Sequence, residues 1–90
     1  MLRPIYTGQF EKDLKRVKKR GKNLDKLKII IRSLVADEPL DSLHRDHKLI
    51  GNWTGRRECH IESDWLLIYK IEFESIVFER TGTHSDLFQK

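Results

Sequence analysis

The stretch RRECHIESDWLLIYKIEFESIVFERT, residues 56–81, decides the fold. Its apolar residues recur with a period of two, the spacing of strands whose side chains alternate between faces. Polar residues divide it at Ser63-Asp64 and again at Glu72–Glu74, which read as turns. The middle piece, WLLIYKI, is apolar on both sides: Leu66 and Ile68 alternate with Trp65, Leu67, Tyr69 and Ile71. Such a strand is central and covered on both faces. The first piece, RRECHIE, is two-faced. Arg57, Cys59 and Ile61 point one way; Arg56, Glu58, His60 and Glu62 point the other. His60 is thus on a polar face, beside an arginine and two carboxylates. In the third piece, SIVFERT, strict alternation places Ile76, Phe78 and Arg80 on one side. That joins two core residues to a cation. Either a bulge near Glu79 separates them, or one face is apolar at one end and polar at the other.

Working outward, HKLIG (47–51) reads as a fourth strand, and LDSLHRDH (40–47) is polar and irregular. LRPIYT (2–7) alternates weakly and contains Pro4, which suits a short edge strand. Between them lie two helical patterns. Thr7 can cap the first, where Phe10, Leu14 and Val17 form one apolar stripe and Gly21 is a plausible stop. Asn23 can cap the second, where Leu24, Leu27, Ile31, Leu34 and Val35 keep a helical period and Pro39 ends it. The order is therefore strand, helical hairpin, then an antiparallel strand meander. This is an α+β architecture, with the helices packed on one face of the sheet. No repeat or linker interrupts residues 1–90, which read as one domain.

The 90 residues carry 18 basic and 14 acidic side chains, a net charge of +4. The distribution says more than the sum. Residues 11–32 hold ten Lys/Arg against Glu11, Asp13 and Asp25, a local charge of +7, and the remainder is net −3. A charge concentrated in this way suits a nucleic-acid or acidic-protein partner, or a merely solvated helix face. No apolar run reaches membrane-spanning length, and MLRPIYTGQF lacks a secretory core. With Cys59 as the single cysteine, no internal disulfide forms, and a cytoplasmic location is expected.

The chemistry-bearing residues lie outside the helices. His44 and His47 are spaced H-x2-H with Asp46 and Asp64 available, a weak pattern for zinc. The alternative is acid–base cleavage of an RNA phosphodiester. That reaction needs a base for the 2′-hydroxyl proton, an acid for the departing 5′-oxygen and a cation for the phosphorane. Histidine serves either proton transfer near neutral pH. His60 and Asp64 straddle one turn, and Arg80 and His84, separated by three residues, could flank one phosphate at a strand end. Trp65 and Phe88 are candidates for stacking on bases.

The run from Asp46 to Tyr69 reads D-H-x-L-x-G-x-W-x-G-x-R-x-x-H-I-x-x-D-W-x-L-I-Y, and residues 78–88 read FERTGTHSDLF. These motifs resemble the YafQ-type branch of the RelE/ParE toxin superfamily, and the likeness extends over the chain. The resemblance implies a ribosome-dependent endoribonuclease that cuts mRNA in the A site of the 70S ribosome and is neutralised by a cognate antitoxin. It carries the catalytic set onto His47, His60, Asp64, Arg80, His84 and Phe88, with Trp65 beside it. His84 is expected to be the principal proton-transfer residue, with His60 and Asp64 as a complementary pair, Arg80 on the phosphate, and His47 and Phe88 positioning the RNA. Lys12, Lys15, Arg16, Lys18, Lys19, Arg20 and Lys22 are expected to contact ribosomal RNA. No cofactor is expected, and the free toxin is expected to be monomeric. Two other classes stand beside this one: a non-catalytic ribosome- or RNA-binding module, and a ParE-like gyrase inhibitor.

Overall fold

A computed structural model describes residues 1–88. In chain order these form β1 (Arg3–Tyr6), α1 (Gly8–Lys19), α2 (Leu24–Val35), β2 (His47–Lys48), β3 (Arg57–Glu62), β4 (Trp65–Glu72), β5 (Ser75–Gly82) and α3 (His84–Leu87). Single 3-10 turns occupy Ser42–His44 and Gly51–Trp53.

The hairpin ends as its residues dictate. Thr7 accepts the Phe10 N–H and Asn23 accepts the Asp25 N–H, each at 3.0 Å, so both helices are capped. Gly21, at φ +84°, stops α1: its N–H reaches the Lys18 carbonyl, and the Lys22 N–H reaches that of Val17. This is the double-bonded left-handed stop that glycine makes without strain. The same two bonds end α2, but the left-handed residue there is Asp37, at φ +59°. The buried stripe of α2 is Leu27, Ile30 and Leu34. Ile31, expected in the core, is only half-buried, because Ile30 stands three residues after Leu27 and four before Leu34.

The sheet order is β1-β5-β4-β3-β2. β2 to β5 form the antiparallel meander, and β1 adds to β5 in parallel at the edge. β4 is central and covered on both faces. On one side Trp65, Leu67 and Tyr69 join Cys59, Phe78 and the apolar stripes of α1 and α2. On the other, Leu66 and Ile68 are covered by Leu87 of α3, with Leu49, Trp53 and Phe88. The strand expected over 47–51 shrinks to two residues. Gly51 turns the chain at φ +67° into the 3-10 turn, which carries Trp53 onto that second cluster.

The register of β5 removes the conflict at Arg80. Tyr69 faces Phe78, yet Ile68 faces Arg80, so Glu79 is the extra residue of a bulge. Without it Arg80 would share the helix-covered face with Phe78. With it Arg80 stands on the opposite face, and Thr81 turns inward. No helix among the described residues is long and apolar enough to cross a membrane.

Candidate active site

The face of the sheet opposite the hairpin is laid out by strand pairing. His47 faces Glu58, Glu58 faces Ile68, and Ile68 faces Arg80, one row across four strands. The next row is His60, Leu66 and Gly82. Directly opposed residues point to the same side, so this face gathers two histidines, a carboxylate and an arginine. α3 then sets His84 at its margin.

Three imidazoles result, with His60 next to each of the other two. The ring centres of His47 and His60 are 6.5 Å apart, and those of His60 and His84 are 5.8 Å apart. His84 is half-exposed and held by Asp64 at both its backbone and its ring. Asp64 Oδ1 accepts its backbone N–H at 2.9 Å and meets its Nδ1 at 2.7 Å. Thr83 and Asp86 form a reciprocal capping box around it. Asp86 also takes a fork from Arg20 at 2.6 and 3.1 Å, which ties α3 to the end of α1. The Arg20 hydrogen bond holds the Asp86 carboxyl well below the usual range. The hydrogen bond from the His84 backbone, then that from its ring, lowers Asp64. An ionised Asp64 fixes a proton on Nδ1 of His84, which leaves Nε2 as the nitrogen able to exchange a proton. At Gly82 a Cβ would come within 2.8 Å of Asp86 Oδ2, so this close approach requires glycine.

His60 lies deeper, with its side chain 14% exposed. Its carboxylate neighbour is Glu58 rather than Asp64. Glu58 Oε1 is 3.6 Å from His60 Nε2 and 3.4 Å from His47 Nε2. The expected His60–Asp64 pair is therefore corrected: the turn after β3 carries Asp64 out to α3. Glu58 is the residue that sequence reasoning passed over. Its signal was present in the alternation that put it on the face of His60. His47 donates its Nδ1–H to the Arg45 carbonyl, 2.6 Å away, which leaves Nε2 toward Glu58.

Arg80 reaches the buried carboxylate of Asp13 on α1, and its side chain is 23% exposed. Phe88 packs edge-on against Trp53, with centres 5.6 Å apart and planes at 74°, at the border of the second apolar cluster. Trp65 does not belong to the open face. It is 1% exposed, within the core, and its Nε1–H is donated to Thr81 at 2.9 Å. No base can stack on it, which corrects the expected RNA contact.

The basic helix divides in two. Arg16, Arg20 and Lys22 are spent inside the molecule, on Asp13, Asp86 and Glu62 respectively. Lys22 also stands over the Trp65 ring, 5.8 Å from its centre. Lys12, Lys15, Lys18 and Lys19 are exposed and make no ion pair among the described residues. The H-x2-H pair does not converge: His44 Nδ1 meets the His60 carbonyl at 2.7 Å, and His47 Nδ1 meets that of Arg45. Cys59 is buried, and desolvation pushes its thiol up, away from reactivity.

The α+β sheet, with a basic hairpin behind it and three imidazoles in front, has the architecture of solved RelE-like toxin structures. The chain belongs to the family of bacterial toxins of type II toxin–antitoxin systems, YafQ, whose model matches residues 2–89. The mRNA interferase toxin YafQ of Escherichia coli K12 is 46% identical over 84 residues, covering 92% of this chain and 91% of that protein. The crystal structure of the Escherichia coli DinJ–YafQ complex superposes with a TM-score of 0.91 at 44% identity, covering 98% of this chain and 99% of that one. A copper-bound mutant toxin from Helicobacter pylori superposes at 0.94 and 36% identity, covering 98% and 100%.

Proposed function

We propose that this protein is an mRNA interferase, an endoribonuclease that cuts mRNA in the ribosomal A site, and that a cognate antitoxin neutralises it. The observation that carries the reading is the set His47, His60 and His84, with Glu58 between the first two rings and Asp64 on the third. Two imidazoles 5.8 Å apart can address two oxygens of one phosphorus. One nitrogen takes the 2′-hydroxyl proton while the 2′-oxygen attacks phosphorus. The bond to the 5′-oxygen breaks, and a second group gives that oxygen a proton. The products are a 2′,3′-cyclic phosphate and a 5′-hydroxyl. His84, with Nε2 open and Asp64 behind it, carries one of these transfers. His60, against Glu58, carries or supports the other, and His47 and Phe88 position the RNA. Arg80 steadies the phosphorane through its forked donors. The exposed lysines of α1 give affinity for ribosomal RNA without reading sequence.

The test is cleavage of mRNA on programmed ribosomes, mapped by primer extension beside His84→Ala. Cuts at A-site codons that fall at least about a hundredfold in the variant support the reading. Intact mRNA despite ribosome binding would favour a binding module, and supercoiling inhibition without cleavage a gyrase inhibitor.

A further inference from the structure

Asp13 is a carboxylate on α1, away from the histidine row, yet it is 1% exposed. A charge this deep persists only when its lone pairs are filled. Gln9 Nε2 and Arg16 Nη2 reach Oδ1 from its own helix, at 3.1 and 2.9 Å. β5 supplies the rest. Arg80 Nε donates to Oδ2 at 2.7 Å and Nη2 to Oδ1 at 3.2 Å, and the Thr81 N–H donates to Oδ2 at 3.2 Å. The pairing of β1 with β5 ends at Tyr6 opposite Phe78. Asp13 therefore takes a strand N–H that has no partner in the ladder, and grips the neighbouring arginine with the same carboxylate.

We infer that Asp13 is a positioning residue for the reaction. It holds the Arg80 guanidinium side-on and so aims that group's remaining N–H edge at the scissile phosphate. A guanidinium has five N–H donors in one plane. The side-on fork uses the Nε hydrogen and one on Nη2, and fixes the plane. The other edge, with both Nη1 hydrogens, makes no hydrogen bond among the described residues. The bulge at Glu79 starts the Arg80 side chain on the histidine face, in row with His47 and Glu58. Asp13 then sets where it ends. α1 thereby shapes the site as well as offering lysines to the ribosome.

This inference rests on the endoribonuclease reading above, and its test separates the two. Single-turnover cleavage on programmed ribosomes is compared for the wild type, Asp13→Asn, Arg80→Ala and the double variant, with ribosome affinity and thermal melting measured for each. Asparagine keeps the shape but sets an amide donor against the arginine donors. Cleavage is expected to slow by about ten- to a hundredfold, the cost of a small misplacement, with affinity unchanged. In the Arg80→Ala background the same change should cost less than about twofold, since residues acting as a unit are not additive. An Asp13→Asn enzyme at wild-type rate, or one losing the same factor with and without Arg80, would overturn the inference. Arg80→Lys provides a second test that leaves Asp13 in place. A lysine has no fork to be gripped, so it should be as slow as Arg80→Ala; full activity would show that orientation is not what Asp13 supplies. A wild type that cuts no mRNA would sink the endoribonuclease reading itself.

Discussion

Asp64 takes both a backbone and a ring N–H of His84 on one oxygen, so it decides which nitrogen of that ring stays open. Asp64→Asn replaces that oxygen with a group able to present a donor, and the ring is free to turn or change tautomer. Cleavage should slow by about ten- to a hundredfold while ribosome affinity stays the same. Single-turnover rates with a parallel binding assay check this. The division of labour between histidines is read from pH–rate profiles: His60→Gln and His84→Gln should each remove a different limb. Superimposable profiles would contradict it. At this scale the choice of residue types rested on chemistry, since imidazole and guanidinium suit proton transfer and phosphate binding whatever the fold. The partnerships were not legible in the sequence. Asp64 stands four residues from His60 but pairs with His84, twenty residues on. Trp65 offered its aromatic ring to either reading, and its burial, with Nε1–H donated to Thr81, reveals the core.

α3 is four residues long, too short to form by propensity alone, and it holds because its cap and its neighbours hold it. The sequence hid it for that reason: TGTHSDLF has no helical period to detect, although Thr83 and Asp86 stand at capping-box spacing. The Arg20–Asp86 fork is its anchor. Asp86 is lowered in the folded state, so its stabilisation is complete above the unfolded value near 4 and fades as pH falls through the lower, folded value. Asp86→Asn should therefore melt earlier at pH 7, by at least the ~1 kcal/mol of a lost cap. The gap to wild type should shrink on acidification below about pH 4. A gap that stays constant with pH would deny the ion pair its part. At the end of α2, Asp37 occupies the left-handed position that costs an L-residue roughly 1 kcal/mol. Asp37→Gly should raise stability by about 0.5 kcal/mol after the entropy of glycine is charged against it, with cleavage unchanged; a melting curve decides.

The molecule separates its surfaces by charge and by chemistry. The sheet carries the histidine row on the face away from the hairpin, and the hairpin carries the charge. That separation was legible, because the period changes from helical to alternating near residue 47 and the basic residues stop near residue 32. What the sequence could not show was which cations remain available. Arg16, Arg20 and Lys22 look like Lys15, Lys18 and Lys19 in the run, but each is spent on a carboxylate brought from Asp13, Asp86 or Glu62. Two of these acids are remote in sequence: Asp86 is 66 positions from Arg20, and Glu62 is 40 from Lys22. The two groups therefore predict different phenotypes. Replacing Lys15, Lys18 and Lys19 with alanine removes charge that only a partner can use. Ribosome affinity should fall, melting temperature should hold, and the slope of log affinity against log salt should become shallower by about 2 if each lysine neutralises one phosphate. Arg20→Ala instead breaks the α1–α3 anchor. It should lower the melting temperature and slow cleavage through a displaced His84, with little change in the salt slope. Equal salt slopes for the wild type and the triple lysine variant would mean that the exposed lysines are only solvated, and that the ribosome meets another face of the toxin.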